Sequence, residues 1–363
     1  MFIVYHDLQT EARSQEILEC AKKLGDKTIL VSYSKPKEES NCKCIVTGNG
    51  KRNYIDFIRQ SIKAIKKENP DVVILHDYYT AVILRWIKKH RKNIFVIYDS
   101  SELYLEIKRD SLKNFIAGHM NYFEKKYLKF ADVVISANIE RANIMKKYFQ
   151  LKEIPIVFDN VHRIDDSYNL VECEKKYGKF FKKDTFCIVY AGGIFKQRLT
   201  LNLAKAVGEL GGKYCLIITG NSDEKEKKNL DMMLKKYGYT NVYYLGFVPR
   251  SELRYLFRKA DISVSIFQQD TVNNKYCASG KLYESLFEGT PVLTSENPPL
   301  KRLCDEKKIG VSTSNFKEGI LELEKNYDFY YKNVISFTKS LDVKDRIDIL
   351  VKNLREKMKN KIV

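Results

Sequence analysis

Short apolar runs recur along this chain, and most neighbouring pairs are separated by an amphipathic segment of helix length. Runs at 2–5, 28–33, 71–77, 93–99, 131–136 and 154–158 alternate with segments such as 11–24 and 54–67. In the latter, Ile55, Ile58, Ile62 and Ile65 share one helical stripe. Parallel strands cannot be joined by a tight turn and need a crossover of this length. The alternation therefore predicts an α/β fold with parallel sheets. A polar, charged stretch at 161–181 interrupts the series, and a fresh one follows at 186–193, 214–220, 241–248, 260–266 and 292–294. With 363 residues there is room for two domains. The expected division is 1–163, joined by a basic helical tail from about 335 to 363, and 164–334.

Lys and Arg number 64 against 46 Asp and Glu, a formal charge of +18 that asks for an anionic partner or a solvated surface. Nucleic acid is not expected, because no aromatic–basic recognition motif occurs. No apolar run approaches the roughly 18 residues of a membrane span. The chain opens on a strand rather than a basic leader, so a cytoplasmic location is expected. Its eight cysteines are scattered, without a C-x-x-C pair or a histidine cluster, so reduced thiols and no metal site are expected. An anionic membrane surface is a candidate partner. Its motive is the basic segment 85–92 and a helix at 111–130, in which Phe115, Ile116, Tyr122, Phe123 and Tyr127 mix with Lys113, Lys125, Lys126 and Lys129. An ordinary domain helix has the same mixture.

Residues 281–288 read as a helix that stops at Gly289, turns through Thr290 and Pro291, and enters a short buried strand. Ser279 and Gly280 precede it, so backbone amides can approach an anion where the helix starts. Lys281 and Glu284, one turn apart, set a cation beside an acceptor for sugar hydroxyls. Upstream, the strand at 186–191 ends in Gly192 and Gly193, and Lys196 and Arg198 follow: bare backbone with two cations, suited to a diphosphate. Gly220 ends the next strand. In the first half, His76, Asp77, Asp99, Ser101 and Glu102 stand at strand C-termini, where open α/β sheets bind ligands. Each of them equally suits a strand-to-helix cap.

The segment Ser279-Gly280-Lys281-Leu282-Tyr283-Glu284, with Gly289, Pro291 and Val292, resembles the P-x-K-L-x-E-x-x-x-x-G-x-P-V signature of family 4 glycosyltransferases. The likeness covers most of the chain and is densest from 189 to 311. It implies a GT-B fold: two Rossmann-like domains facing a central cleft, with a C-terminal helix crossing back to the first domain. It also implies retaining transfer from a nucleotide-diphosphate sugar, a substrate rather than a cofactor, to a glycan or lipid-linked acceptor, as in bacterial surface polysaccharide or glycoconjugate synthesis. Arg198, with Lys196 nearby, and Lys281 would stabilise the leaving diphosphate. Glu284 would hold the ribose, and Phe247 and Val248 would border the base. No D-x-D pair occurs, so a metal-independent, front-face transfer is expected, the donor phosphate helping to deprotonate the acceptor. Departures from the pattern are Tyr276 eight residues before Glu284, where the family has a carboxylate; Gly280 before the motif lysine; Ser101 where many members have His; and no Gly-Gly after the first strand. A nucleotide-sugar 2-epimerase and a non-catalytic partner subunit of the same architecture are the alternatives.

Overall fold

The structure, a computed structural model, describes every residue except 10, 37–41, 106, 108–111, 165 and 363; the side chains of 112–114 and 360–362 also lie outside the description. Two compact units divide the chain, residues 1–159 with 343–363, and residues 160–342.

In the first unit β1 (Phe2–Val4), β2 (Ile29–Ser32), β3 (Lys43–Val46), β4 (Val72–His76), β5 (Phe95–Ser100), β6 (Val133–Ser136) and β7 (Ile156–Val157) form one sheet, ordered β3-β2-β1-β4-β5-β6-β7. All its pairings are parallel. Most of these strands are buried on both faces, as the continuous apolar runs predict. The unforeseen β3 is mostly exposed and lies at the edge, so it needs no apolar pattern. The helix Tyr54–Glu68 starts on the Asn53 cap and ends on Asn69 in the left-handed conformation before Pro70. Its packed face is Phe57, Ser61, Ala64 and Ile65 rather than the isoleucine stripe: Ile58 and Ile62 are half-buried and Ile55 is 82% exposed.

The final helix, Arg346–Ile362, lies along the helix Ala12–Leu24 and buries Leu350, Val351 and Leu354 in the core of this unit. Arg346 pins its start, pairing with Glu16 at 2.9 Å and stacking on Phe158 at 4.4 Å. The preceding helix, Tyr327–Ser340, packs in the second unit with Val334 buried, so the return begins at 343 rather than near 335.

The second unit holds β8 (Phe186–Tyr190), β9 (Tyr214–Ile218), β10 (Val242–Tyr244), β11 (Ile262–Ser265), β12 (Val292–Thr294) and β13 (Gly310–Ser312), again all parallel, in the order β10-β9-β8-β11-β12-β13. Helices such as Thr200–Leu210 and Phe316–Lys325 cover one face with Leu203, Val207, Ile320 and Leu323.

Candidate active site

Two groups of expected residues lie at strand C-termini, one in each unit. In the second sheet the strand order reverses between β8 and β11, and the loops leaving these strands carry donor-side candidates. Gly193 and Gly220 take φ of 70° and 116°. A Cβ on Gly193 would come 2.2 Å from the Asn221 carbonyl oxygen, and one on Gly220 would come 2.9 Å from Gly193 N. The packing of these loops on each other thus already requires glycine, apart from any ligand. Gly192 is as crowded, its Cβ falling 2.2 Å from the Tyr190 ring. Arg198 sits with its guanidinium 3.9 Å from the centre of the Phe267 ring, and Lys196 is exposed. Beside Phe267 a cavity of about 410 Å³ is lined by Asn202, Gln268, Asp270, Ser295 and Glu296 among others.

The expected helix at 281 proves to be short, Gly280–Leu286, seven residues long. Ser279 caps it: its Oγ accepts the Leu282 N–H at 3.4 Å and a bond from Ser265 Oγ at 3.0 Å. So short a helix has a small dipole and one of its free amides is already used, which leaves anion binding to side chains. These are present. Lys281 Nζ lies 2.7 Å from one oxygen of Glu284, and Arg250 Nη2 lies 3.2 Å from the other. The carboxylate is buried while Lys281 and Arg250 stay 45% and 37% exposed, so each cation can also face a ligand. Sequence reasoning missed Arg250. Its one signal is a cation in the first turn of the helix Arg250–Lys259, against the dipole. Gly280 has a local cause, because a Cβ there would meet His162 Cδ2 at 2.9 Å. Phe247 is 75% exposed, whereas the Val248 side chain is buried in the core with Val189, Leu253 and Leu256, which leaves its backbone as the part that could border a base.

In the first sheet the order reverses between β1 and β4. The register pairs His76 with Asp99 across β4 and β5. Arg13 donates from Nε and Nη2 to Asp99, the closest contact being 2.5 Å, and from Nη1 to Phe158 O at 2.6 Å. His76 Nδ1 stands 2.7 Å from Asp99 Oδ2, an ion-pair contact whose N–H is not aimed along a hydrogen-bond line. Asp77, at an unusual φ of 57°, accepts Ser101 N–H at 2.8 Å and Ser101 Oγ–H at 2.6 Å. Arg13, His76, Asp77 and Asp99 are all buried, two cations balancing two anions. Burial disfavours charge on His76, but Asp77 and Asp99 outweigh it and raise its pKa to about 9. Burial likewise opposes the charge on Asp77, yet His76, His6 and Ser101 hold its pKa well below the ordinary range. Ser101 is therefore a positioning partner of Asp77. Glu102 contributes its N–H to Asp77 at 3.3 Å while its carboxylate stands 3.8 Å from Arg141. His6, also missed from the sequence, joins the group with Nε2 at 3.0 Å from Asp77 Oδ2.

Among the described residues, His6, His76 and Asp77 come near enough to hold a metal ion. An ion there would have to displace the proton that Asp77 and Asp99 favour on His76 and compete with the contacts the two carboxylates already make to Arg13 and Ser101.

The family models for Glycosyltransferase Family 4 and for Glycosyl transferases group 1 match residues 11–158 and 174–340. Among solved structures the chain is similar to a sucrose-phosphate synthase from Thermosynechococcus elongatus (TM-score 0.77, 14% identity, covering 99% of this chain and 98% of that one). The Anabaena protein HepE in complex with UDP and glucose is similar at TM-score 0.72 and 12% identity, with 99% and 98% covered. WaaG, a glycosyltransferase involved in lipopolysaccharide biosynthesis, gives TM-score 0.70 and 13% identity, with 96% and 98% covered. No curated sequence matches the chain.

Proposed function

We propose that this chain, which belongs to glycosyltransferase family 4 and has the GT-B fold, moves a sugar from a nucleotide-diphosphate donor to an acceptor hydroxyl with retention of configuration. The observation that carries this reading is the buried Glu284 carboxylate, bridged by Lys281 and Arg250, with Arg198 on the loop after β8. A ribose offers two hydroxyls to such a carboxylate, and a diphosphate leaving group needs cations already in place. Lys281, Arg250 and Arg198 supply them without a metal, with Lys196 a further exposed cation on the same loop. HepE, similar in fold, is described with UDP and glucose, which favours a nucleotide sugar as donor. Tyr276 cannot provide the carboxylate that the family pattern sets there; Asp270 and Glu296 in the cavity beside Phe267 are the candidates for that contact.

The test is release of nucleoside diphosphate from a panel of UDP-, GDP- and ADP-linked sugars, followed by NMR of the product anomer. Release with retained configuration is the expected result. Binding without turnover would favour a non-catalytic subunit, epimerised free sugar an epimerase, and no binding at all would overturn the reading.

For the acceptor we favour a lipid-linked glycan reached from an anionic membrane surface. Phe115, Ile116, Tyr122 and Phe130 are exposed on the same segment as the exposed Lys125, Lys126 and Lys129, and Phe115 and Ile116 line an apolar cavity of about 580 Å³ together with Ile55 and Arg52. The basic segment at 85–92 supports this less: Arg85 stacks on Phe123 and Tyr127, and Lys88 pairs with Asp132.

A further inference from the structure

The cavity of about 580 Å³ is formed within the first unit alone, by the start of the helix Tyr54–Glu68 and one side of the helix Leu112–Tyr127. Ile55, Phe115, Ile116, Met120 and Phe123 give it apolar walls. Three of these stand largely in water, Ile55 at 82%, Phe115 at 49% and Ile116 at 43% exposed, and neighbouring apolar groups left open in this way mark a binding surface. Most polar groups of the walls are already engaged. Tyr54 Oη lies 2.7 Å from Tyr79 O and 2.5 Å from Met120 Sδ. His119 Nδ1 is 2.9 Å from Phe115 O of its own helix, and Asn53 Oδ1 accepts the Asp56 N–H at 3.1 Å. A sugar or a base, which needs hydrogen bonds on several sides, finds few partners here. Arg52 is the exception. Its Nε donates to Tyr33 Oη at 3.1 Å and its guanidinium lies 5.4 Å from the centre of the Tyr33 ring, so the fork is oriented. Neither Nη bonds a described residue. A guanidinium fixed at Nε and open at both Nη fits a phosphate, and an apolar cavity with one such cation in its wall has the polarity of an anionic amphiphile.

We propose that this cavity binds the hydrocarbon chain of a lipid phosphate, with the phosphate held by Arg52. The inference rests on the transferase reading above in naming that lipid as the acceptor, a sugar carried on a hydrocarbon chain through phosphate. It differs from attraction to a charged membrane surface in being one site for one molecule.

The test is calorimetric titration of the full chain with dodecyl phosphate below its micelle concentration, beside dodecyl maltoside (the same chain on a neutral head) and inorganic phosphate (the head alone). Dodecyl phosphate should bind one to one, on the order of tenfold tighter than either control. Arg52→Gln should abolish its advantage over the maltoside and leave maltoside binding as it was. Ile55→Asp should weaken both amphiphiles; the position is exposed in the first turn of its helix, where a carboxylate suits the dipole, so its melting temperature should not fall. No binding of dodecyl phosphate below the micelle concentration, or equal binding of the two amphiphiles in both the unmutated protein and Arg52→Gln, would overturn the proposal. So would a dimer in sedimentation velocity that Ile55→Asp dissolves, which would make the cavity an interface between two copies. None of these titrations contains a nucleotide sugar, so the two readings fail separately. Lipid phosphate binding without release of nucleoside diphosphate from any donor would uphold the site and remove its role as acceptor site, whereas release without lipid binding would overturn the site and leave the transferase reading intact.

Discussion

Lys281, Arg198 and Arg250 make separable claims. Replacing Lys281 or Arg198 with Ala should lower kcat/KM about 10²- to 10³-fold, as for loss of one fixed donor to a developing charge, while circular dichroism stays native. Arg250→Ala should act alike and in addition lower the melting temperature, because Glu284 then stays buried with Lys281 alone. Full activity in the Lys281 or Arg198 variant would mean the diphosphate lies elsewhere. A different group governs stability against pH. Glu124 is buried, accepts from Tyr98 Oη at 2.7 Å, and burial, seconded by the charge of Asp77, raises its pKa from 4.5 to about 8. The folded state therefore binds a proton that the unfolded chain has lost. Its contribution is fully present below about pH 4.5 and is lost as pH rises through about 8, at up to about 1.4 kcal/mol per pH unit between. Glu124→Gln should flatten that part of the stability curve in chemical denaturation; an unchanged slope would show that Glu124 is ionised in the fold. The difference between legible and illegible residues is one of sequence distance. Lys281 and Glu284 are one turn apart and could be paired on paper. His6 and Asp77, or Arg250 and Glu284, meet only through the sheet, and nothing local announces them.

At the scale of elements, the helix Leu112–Tyr127 with the short turn Leu128–Phe130 carries the membrane proposal. Vesicles containing phosphatidylglycerol should sediment the protein at low salt, with release as salt rises past the Debye screening range. Neutralising Lys125, Lys126 and Lys129 should weaken this; protein left in the supernatant at low salt would turn the search to soluble acceptors. Lys113, which belongs to the same expected patch, has its side chain outside the described residues. The final helix makes a firmer prediction. Leu354 is 0% exposed in the core of the first unit, so Leu354→Ala should cost about 2–5 kcal/mol in denaturant unfolding. Most of the strands were legible because a strand covered on both faces must be continuously apolar. Where one face is open the signal fails, as at β3. The helix Tyr54–Glu68 fails differently, since Phe57 and Ala64 pack while Ile55 faces out, and periodicity alone cannot say which of two overlapping stripes meets the sheet.

For the whole molecule, the two units have separate cores, and every residue assigned to the nucleotide lies in 160–342. A nucleoside diphosphate at a hundred times its dissociation constant should stabilise that unit by about 2.7 kcal/mol, seen as hydrogen-exchange protection within 160–342. Protection confined to 1–159 would misplace the donor. Turnover should persist in EDTA, the expected outcome if cations rather than a bound ion meet the diphosphate. The chain path also bears on synthesis. The second unit is one continuous segment, whereas the first needs Leu350, Val351 and Leu354 from the far end of the chain. A ribosome makes those residues last, so the unit translated first must wait with an open core while its younger neighbour closes. Nascent chains stalled soon after the second unit emerges should resist protease there and remain cleavable within the first 159 residues.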